Sequence, residues 1–195
     1  MQLFGLAGWK GSGKTELMAR LLPVLVARGF AVSAVKEARR DFDIDQPGKD
    51  SFEHRTAGAT EVMLASSHRW ALMHERRGQD DAPRLSEIVS RMSAVDLVLA
   101  EGFRHEPHPK LEVHRTGSGK PLLAATDPTI LAVASDRPIA GLEHPVLPLA
   151  DAEAIADFVL ETCGLRAPAR RGLRAPARRG LPGAALRATR GAGRD

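Results

Sequence analysis

The residues best suited to chemistry stand close to the start of the chain. Gly8, Trp9, Lys10, Gly11, Ser12, Gly13, Lys14 and Thr15 fit G-x-x-x-x-G-K-[ST] at every fixed position. That spacing serves one purpose, the cradling of a polyphosphate. Gly8, Gly11 and Gly13 let the backbone wrap an anion at dihedrals that a Cβ would penalise. Amides from the loop, including those of Trp9, Lys10 and Ser12, then converge on it with the N-terminus of a following helix. Lys14 adds a point charge for the β- and γ-phosphates, and the Thr15 hydroxyl is a ligand for Mg²⁺. Glu16 follows directly and puts a negative charge on the first helical turn. The competing reading is a glycine-rich turn with no ligand. A short apolar strand before the loop and a helical pattern after it argue for the phosphate site.

A phosphate loop of this kind also needs an acid for the metal, at the C-terminal end of a neighbouring apolar strand. The run from Asp96 to Gly102 offers Asp96 and Glu101. Asp96 lies about 16 Å further back along an extended strand, so Glu101 is the expected Mg²⁺ partner of Thr15. Between Lys36 and Asp50 the chain is dense in charge. Asp41, Asp43 and Asp45 there are candidates for a water-mediated metal contact or for orienting an attacking water. A solvated surface loop is the plainer reading of such a run. Pro47 and Gly48 mark a turn, after which Ser51 is placed to cap a helix.

Two further groups invite a function. His105, His108 and His114 could suggest a metal, but His105 and His108 sit in a proline-bearing run without helical spacing, and no cysteine is near. Plain surface or a partner contact is expected instead. Asp136 follows an apolar strand and has the chemistry to accept both N1 and N2 protons of guanine, a bidentate bond that adenine lacks. The Asn-Lys-x-Asp guanine motif is absent, and an ordinary acid at a strand end accounts for Asp136 equally well.

The elements that must position these groups alternate strand and helix, which predicts an α/β fold with a mainly parallel sheet flanked by helices. Strands are expected at 3–7, 31–35, 96–100, 111–113 and 130–134. A hairpin is expected from 61–65 and 70–73 around Ser66, Ser67 and His68. Thr15 to Arg28 reads as a helix with Leu17, Leu21 and Leu25 on one face and a kink at Pro23. Further helices are expected at 85–92 and from an Asp151 cap, the latter burying Ile155, Phe158 and Val159.

Composition limits what surrounds that domain. The chain has 195 residues and a formal charge of +4. Residues 165–195 alone carry +8, from nine arginines against one aspartate, which leaves −4 on residues 1–164. The basic pI therefore belongs to the tail, and the folded body gives no reason to expect a nucleic-acid surface. In that tail the segment 164–171 recurs unchanged as 172–179. Its Arg/Ala/Gly/Pro composition predicts a disordered extension to a nucleotide-binding domain spanning 1–164. Cys163 is the single cysteine, no apolar run is long enough to span a bilayer, and no signal peptide opens the chain. A cytoplasmic protein is the expectation.

With those residues in view, a family resemblance becomes specific. The phosphate loop, Asp43-Ile-Asp-Gln-Pro-Gly-Lys-Asp-Ser51, the run from Leu97 to Lys110 and Ala134-Ser-Asp-Arg-Pro138 occur in this order. The chain resembles the MobB-type adapters of molybdopterin-guanine dinucleotide biosynthesis across residues 1–163. The resemblance implies a dimeric, Mg²⁺-dependent GTP-binding protein with weak GTPase activity. It also implies a partner, the MobA-type guanylyltransferase that joins GMP to molybdenum-loaded molybdopterin. It extends the expected nucleotide-binding set to Gly48, Lys49 and Asp50. Relatives often carry Thr where Glu16 stands, and histidines where this chain has Glu37, Arg39 and Arg40. Lys10 is one position from the extra lysine of ParA- and MinD-like loops, so no lysine from a partner is expected. No arginine finger is evident, and the lack of one predicts slow hydrolysis, since such a residue is worth about 10³–10⁵ in rate. The rival readings are a small-molecule kinase with Arg76 and Arg77 in a lid, and a binding module that holds nucleotide without turnover.

Overall fold

The computed structural model describes residues 1–38, 42–78 and 82–166. Asp41, with Arg39 and Arg40, and the basic repeat beyond 166 lie outside the described residues. The chain forms two compact units, residues 1–36 with 89 onward, and residues 37–88.

Six strands make the sheet of the first unit: β1 (Gln2–Ala7), β2 (Val32–Lys36), β5 (Leu97–Glu101), β6 (Lys110–His114), β7 (Ile130–Ser135) and β8 (Val146–Pro148). Their order is β2-β5-β1-β6-β7-β8, and every pair is parallel. This is the mainly parallel, helix-flanked α/β sheet that strand–helix alternation predicts, with β1 in its interior. Ligands of such sheets bind at the C-terminal strand ends.

Two helices cover one face, α1 (Lys14–Ala27) and α4 (Ala152–Thr162). Leu17, Leu21 and Leu25 of α1 are fully buried against Phe4, Leu6, Leu99, Leu111 and Ile155. Phe158 is half-buried and meets Phe4 edge to face with ring centroids 6.3 Å apart. The helix α1 continues through Pro23. In α4 the Asp151 side chain accepts a bond from the Ala154 amide at 3.0 Å, an N-cap worth about 1 kcal/mol.

The opposite face is covered differently. A smaller cluster joins Ala7, Ala124, Ile130 and Val133 with the half-buried Leu122 and Leu123. Because Leu111 and Val113 join the helix-covered core, alternation turns Lys110, Glu112 and His114 to this second face. All three are buried.

The second unit contains α2 (Asp50–Thr56) and a two-stranded antiparallel hairpin, β3 (Glu61–Ala65) with β4 (Trp70–His74). Ser51 does not cap α2: the cap position is Lys49, and the helix has begun at Asp50 with Ser51 buried inside its first turn. A further short helix, α3 (Leu85–Ser90), follows. Among the described residues, no helix is long and apolar enough to cross a membrane.

Candidate phosphate and metal site

The loop between β1 and α1 is held open for an anion by its backbone. Gly8 has φ +142°, and a Cβ there would fall 2.5 Å from the Val113 carbonyl and 2.7 Å from Ser12 Oγ. Only glycine fits. Gly13, at φ +102°, holds the N-cap position of α1 and brings no side chain of its own to the first-turn amides. Those donors point out of the helix end, where the macrodipole favours negative charge. Ser12 is buried, and its hydroxyl has no hydrogen-bond partner among the described residues. A buried orphan hydroxyl beside uncapped amides suits a phosphate oxygen. The Lys14 ammonium donates to the carbonyls of Gly8 at 2.8 Å and Trp9 at 2.9 Å, which centres its charge on the loop.

The metal-ligating pair predicted from sequence is brought together. Thr15, in the first turn of α1, donates its hydroxyl proton to Glu101 Oε1 at 2.5 Å. Glu101 ends β5 and is buried. A third group joins them: Lys36, at the end of β2, lies 3.1 Å from both Thr15 Oγ1 and Glu101 Oε1. An ammonium seated on a hydroxyl and a carboxylate marks a place built for a cation. The donor set, all oxygen, suits Mg²⁺. Asp96, the other acid of that strand, instead accepts the Ala31 amide at 2.7 Å at the strand entry.

Glu16 finds its partner in Arg115, just past β6, with Nη2 to Oε2 at 3.1 Å. The same Nη2 lies 3.2 Å from where a Gly13 Cβ would stand. Arg115 therefore sits at the N-terminal end of α1, neutralising the acid on its first turn. Sequence reasoning missed both Lys36 and Arg115. The available signal was their position, a basic residue at the C-terminal end of a predicted strand.

Trp9 turns away from the loop and donates Nε1–H to the Pro121 carbonyl at 2.8 Å. Asp136 accepts the Thr116 amide at 2.9 Å and its hydroxyl at 3.2 Å, and these bonds from the amide first lower its pKa. Asp136 borders a cavity of about 240 Å³ that includes Ile139 and Leu147.

The histidines correct the sequence reading. Of His105, His108 and His114, His105 alone is exposed. His108 and His114 are buried, because the segment after Glu101 folds back over the sheet instead of projecting from it. Burial, with Lys110 nearby, pushes the His108 imidazole down to about 4. His114 Nδ1 lies 3.9 Å from Glu112.

In the second unit, Asp43 and Asp45 share Arg55, each at 2.9 Å. Asp45 is buried and Asp43 exposed. Gly48 has φ +84° in the turn that precedes Lys49 and Asp50 at the start of α2. Arg77 donates to the carbonyls of Gly58, Arg55 and Ala59, a structural use that takes it away from any lid.

With this geometry fixed, comparison with known proteins decides the family. A family model described as molybdopterin guanine dinucleotide synthesis protein B matches residues 3–136. The chain belongs to the MobB family. A molybdopterin-guanine dinucleotide biosynthesis adapter protein of Escherichia coli (strain K12) is 43% identical over 162 residues, covering 82% of this chain and 91% of the relative. Its namesake from Haemophilus influenzae is 39% identical, over 80% and 86%. Among solved structures, a molybdopterin-guanine biosynthesis protein B superposes with TM-score 0.65 at 29% identity, over 82% of this chain and 99% of that one. A MobB homologue from Bacillus stearothermophilus gives 0.61 at 26% identity, over 85% and 100%. MobB membership accounts for the run from Leu97 to Lys110, which the phosphate loop alone does not require.

Proposed function

We propose that this chain is a GTP-binding adapter that assists a MobA-type guanylyltransferase in making molybdopterin guanine dinucleotide, with slow GTP hydrolysis of its own. The observation that carries the reading is the Thr15–Glu101 pair, closed by the Lys36 ammonium at the mouth of an uncapped helix. Nucleotide phosphates bind the loop amides and the Ser12 hydroxyl, and Lys14 exchanges its bonds to Gly8 and Trp9 for phosphate oxygens. Thr15 and Glu101 would hold Mg²⁺, which would supply charge neutralisation for the phosphates at the place the Lys36 ammonium fills. Asp136 reads guanine beside its small cavity.

The segment from Asp41 to Asp50 responds to the γ-phosphate in this proposal. Asp43 and Asp45 of that segment share one guanidinium, so a change at exposed Asp43 is felt by buried Asp45. Adapter work is favoured over a kinase because Arg77 is committed to backbone carbonyls. The protein acts in the cytoplasm as a homodimer. The hairpin of β3 and β4 supports that: it leaves Met63, Trp70 and Leu72 exposed, and a two-stranded ribbon has two open edges.

Titration calorimetry tests the reading. Lys14→Ala is expected to weaken GTP by about 100-fold or more, the loss of a charge-assisted phosphate contact, with the thermal transition kept. Unchanged GTP affinity would reject the assignment.

A further inference from the structure

The segment from Glu101 to Lys110 gives the phosphate site one acid, yet it departs from regular structure along its whole length. Phe103 is buried at φ +47°, a left-handed conformation that a bulky residue seldom takes. His108 is buried with both ring nitrogens unpartnered among the described residues. At Lys110 the pairing with β7 slips by one residue, a bulge of the kind found beside functional sites. Left-handed backbone and bulges persist where surrounding structure holds them for a purpose. Of these positions Lys110 lines a cavity, together with Arg104, His105, Glu106 and Pro107 of the same segment.

That cavity has a volume of about 540 Å³, within the range of small-ligand sites. Of the phosphate loop, Trp9 alone lines it. Arg104 lies over the Trp9 ring, 5.2 Å from its centroid, and stands with His105 at one wall. Flat apolar surfaces come from Pro107, Pro121 and Pro128. Lys110 and Asp127 form a polar floor: the Lys110 ammonium bonds Thr129 and lies 3.5 Å from Asp127 Oδ2. Asp127 Oδ1 takes the Thr129 amide and hydroxyl, so Oδ2 keeps capacity for another donor.

We propose that this cavity is a second ligand site, one that takes the phosphate ester of a planar, amino-substituted heterocycle of the pterin class. Flat proline walls suit the ring, the Asp127 carboxylate suits an amino–amide edge, and the Arg104 guanidinium suits the phosphate. The inference rests on the adapter reading, since it gives the adapter a hold on the pterin as well as on the nucleotide.

Full-length protein is titrated with neopterin monophosphate, followed by quenching of pterin fluorescence, with and without saturating GTP. Saturable micromolar binding is expected and is expected to persist with GTP, because the cavity excludes the loop glycines. Unphosphorylated neopterin should bind about tenfold more weakly, and Arg104→Gln should cost the ester about tenfold. Leu122→Trp, which fills the cavity, should do the same by steric means. Both variants should keep GTP affinity within about threefold, which also reports an intact fold. Absence of saturable binding, unchanged binding in both variants, or full displacement by GTP would each overturn the proposal. Displacement would place the ester in the phosphate loop. Ester binding without GTP binding would sustain the cavity and reject the nucleotide reading.

Discussion

Strands β5 and β6 lie on either side of β1, and all residues of both are buried. They are made of different materials. β5 reads Leu-Val-Leu-Ala-Glu and keeps its acid for the C-terminal end, facing Thr15. β6 reads Lys-Leu-Glu-Val-His, with an ionisable side chain at every second position. The Glu112 carboxylate accepts the Leu123 amide at 3.0 Å and the Ala124 amide at 2.9 Å. Lys110 bonds Thr129. The difference follows from what covers each side of the sheet. Helices satisfy their own backbone, so apolar packing suffices against them; the irregular stretch near 121–129 needs acceptors and donors from the strand beneath it. One strand meets Thr15 and Lys36 with its tip, and the other pins a loop with its flank.

The sharpest way to break that contrast is Glu112→Ala. Stranding two buried amides and His114 should cost about 3–5 kcal/mol of stability in urea unfolding. Glu101→Gln on β5 should do the reverse. It should weaken Mg²⁺-dependent GTP binding by about 30-fold, roughly 2 kcal/mol, while stability moves by less than about 1 kcal/mol. A large loss of stability instead would show that β5 also uses its acid structurally.

Acid should find the β6 side first. His108 is held neutral with a pKa of about 4, below the 6.5 of an exposed imidazole. Between those values the unfolded chain binds the extra proton, so the contribution is complete above about pH 6.5 and is lost as pH falls toward 4. Unfolding free energies from urea titration at pH 7 and pH 4.5 should differ by about 1–3 kcal/mol from this group, and His108→Asn should remove that part of the dependence. Equal slopes in both proteins would reject it. The smallest effect expected is at the exposed Glu16–Arg115 pair. Glu16→Gln should tighten GTP about threefold at low salt, less at high salt, as a screened surface charge should.

These two strands also show what was legible in the sequence. The apolar run of β5 located the strand, and the pairing of its terminal acid with Thr15, the face of α1 and the Asp151 cap were equally plain. β6 was read only as 111–113, because charge at Lys110 and His114 imitates a strand end when the partners lie a loop away. β8 was missed: it is short, and its Pro148 argues against a strand except at an edge. Lys36 and Arg115 meet Thr15 and Glu16 through tertiary folding alone, which no local pattern encodes.

The wholly parallel sheet carries a consequence for how the protein is made. The neighbours of β1 are β5 and β6, with Gln2 paired to Leu97 and Leu6 to Leu111. Strand β1 thus leaves the ribosome and waits for partners encoded far downstream, for several seconds at about 5–20 residues per second. Until then the glycine loop has no sheet to brace it. Closing so long a stretch of chain is a slow, non-local step, so the glycine loop takes its braced form late in synthesis, and truncated chains ending before β6 are expected to be clients for chaperones.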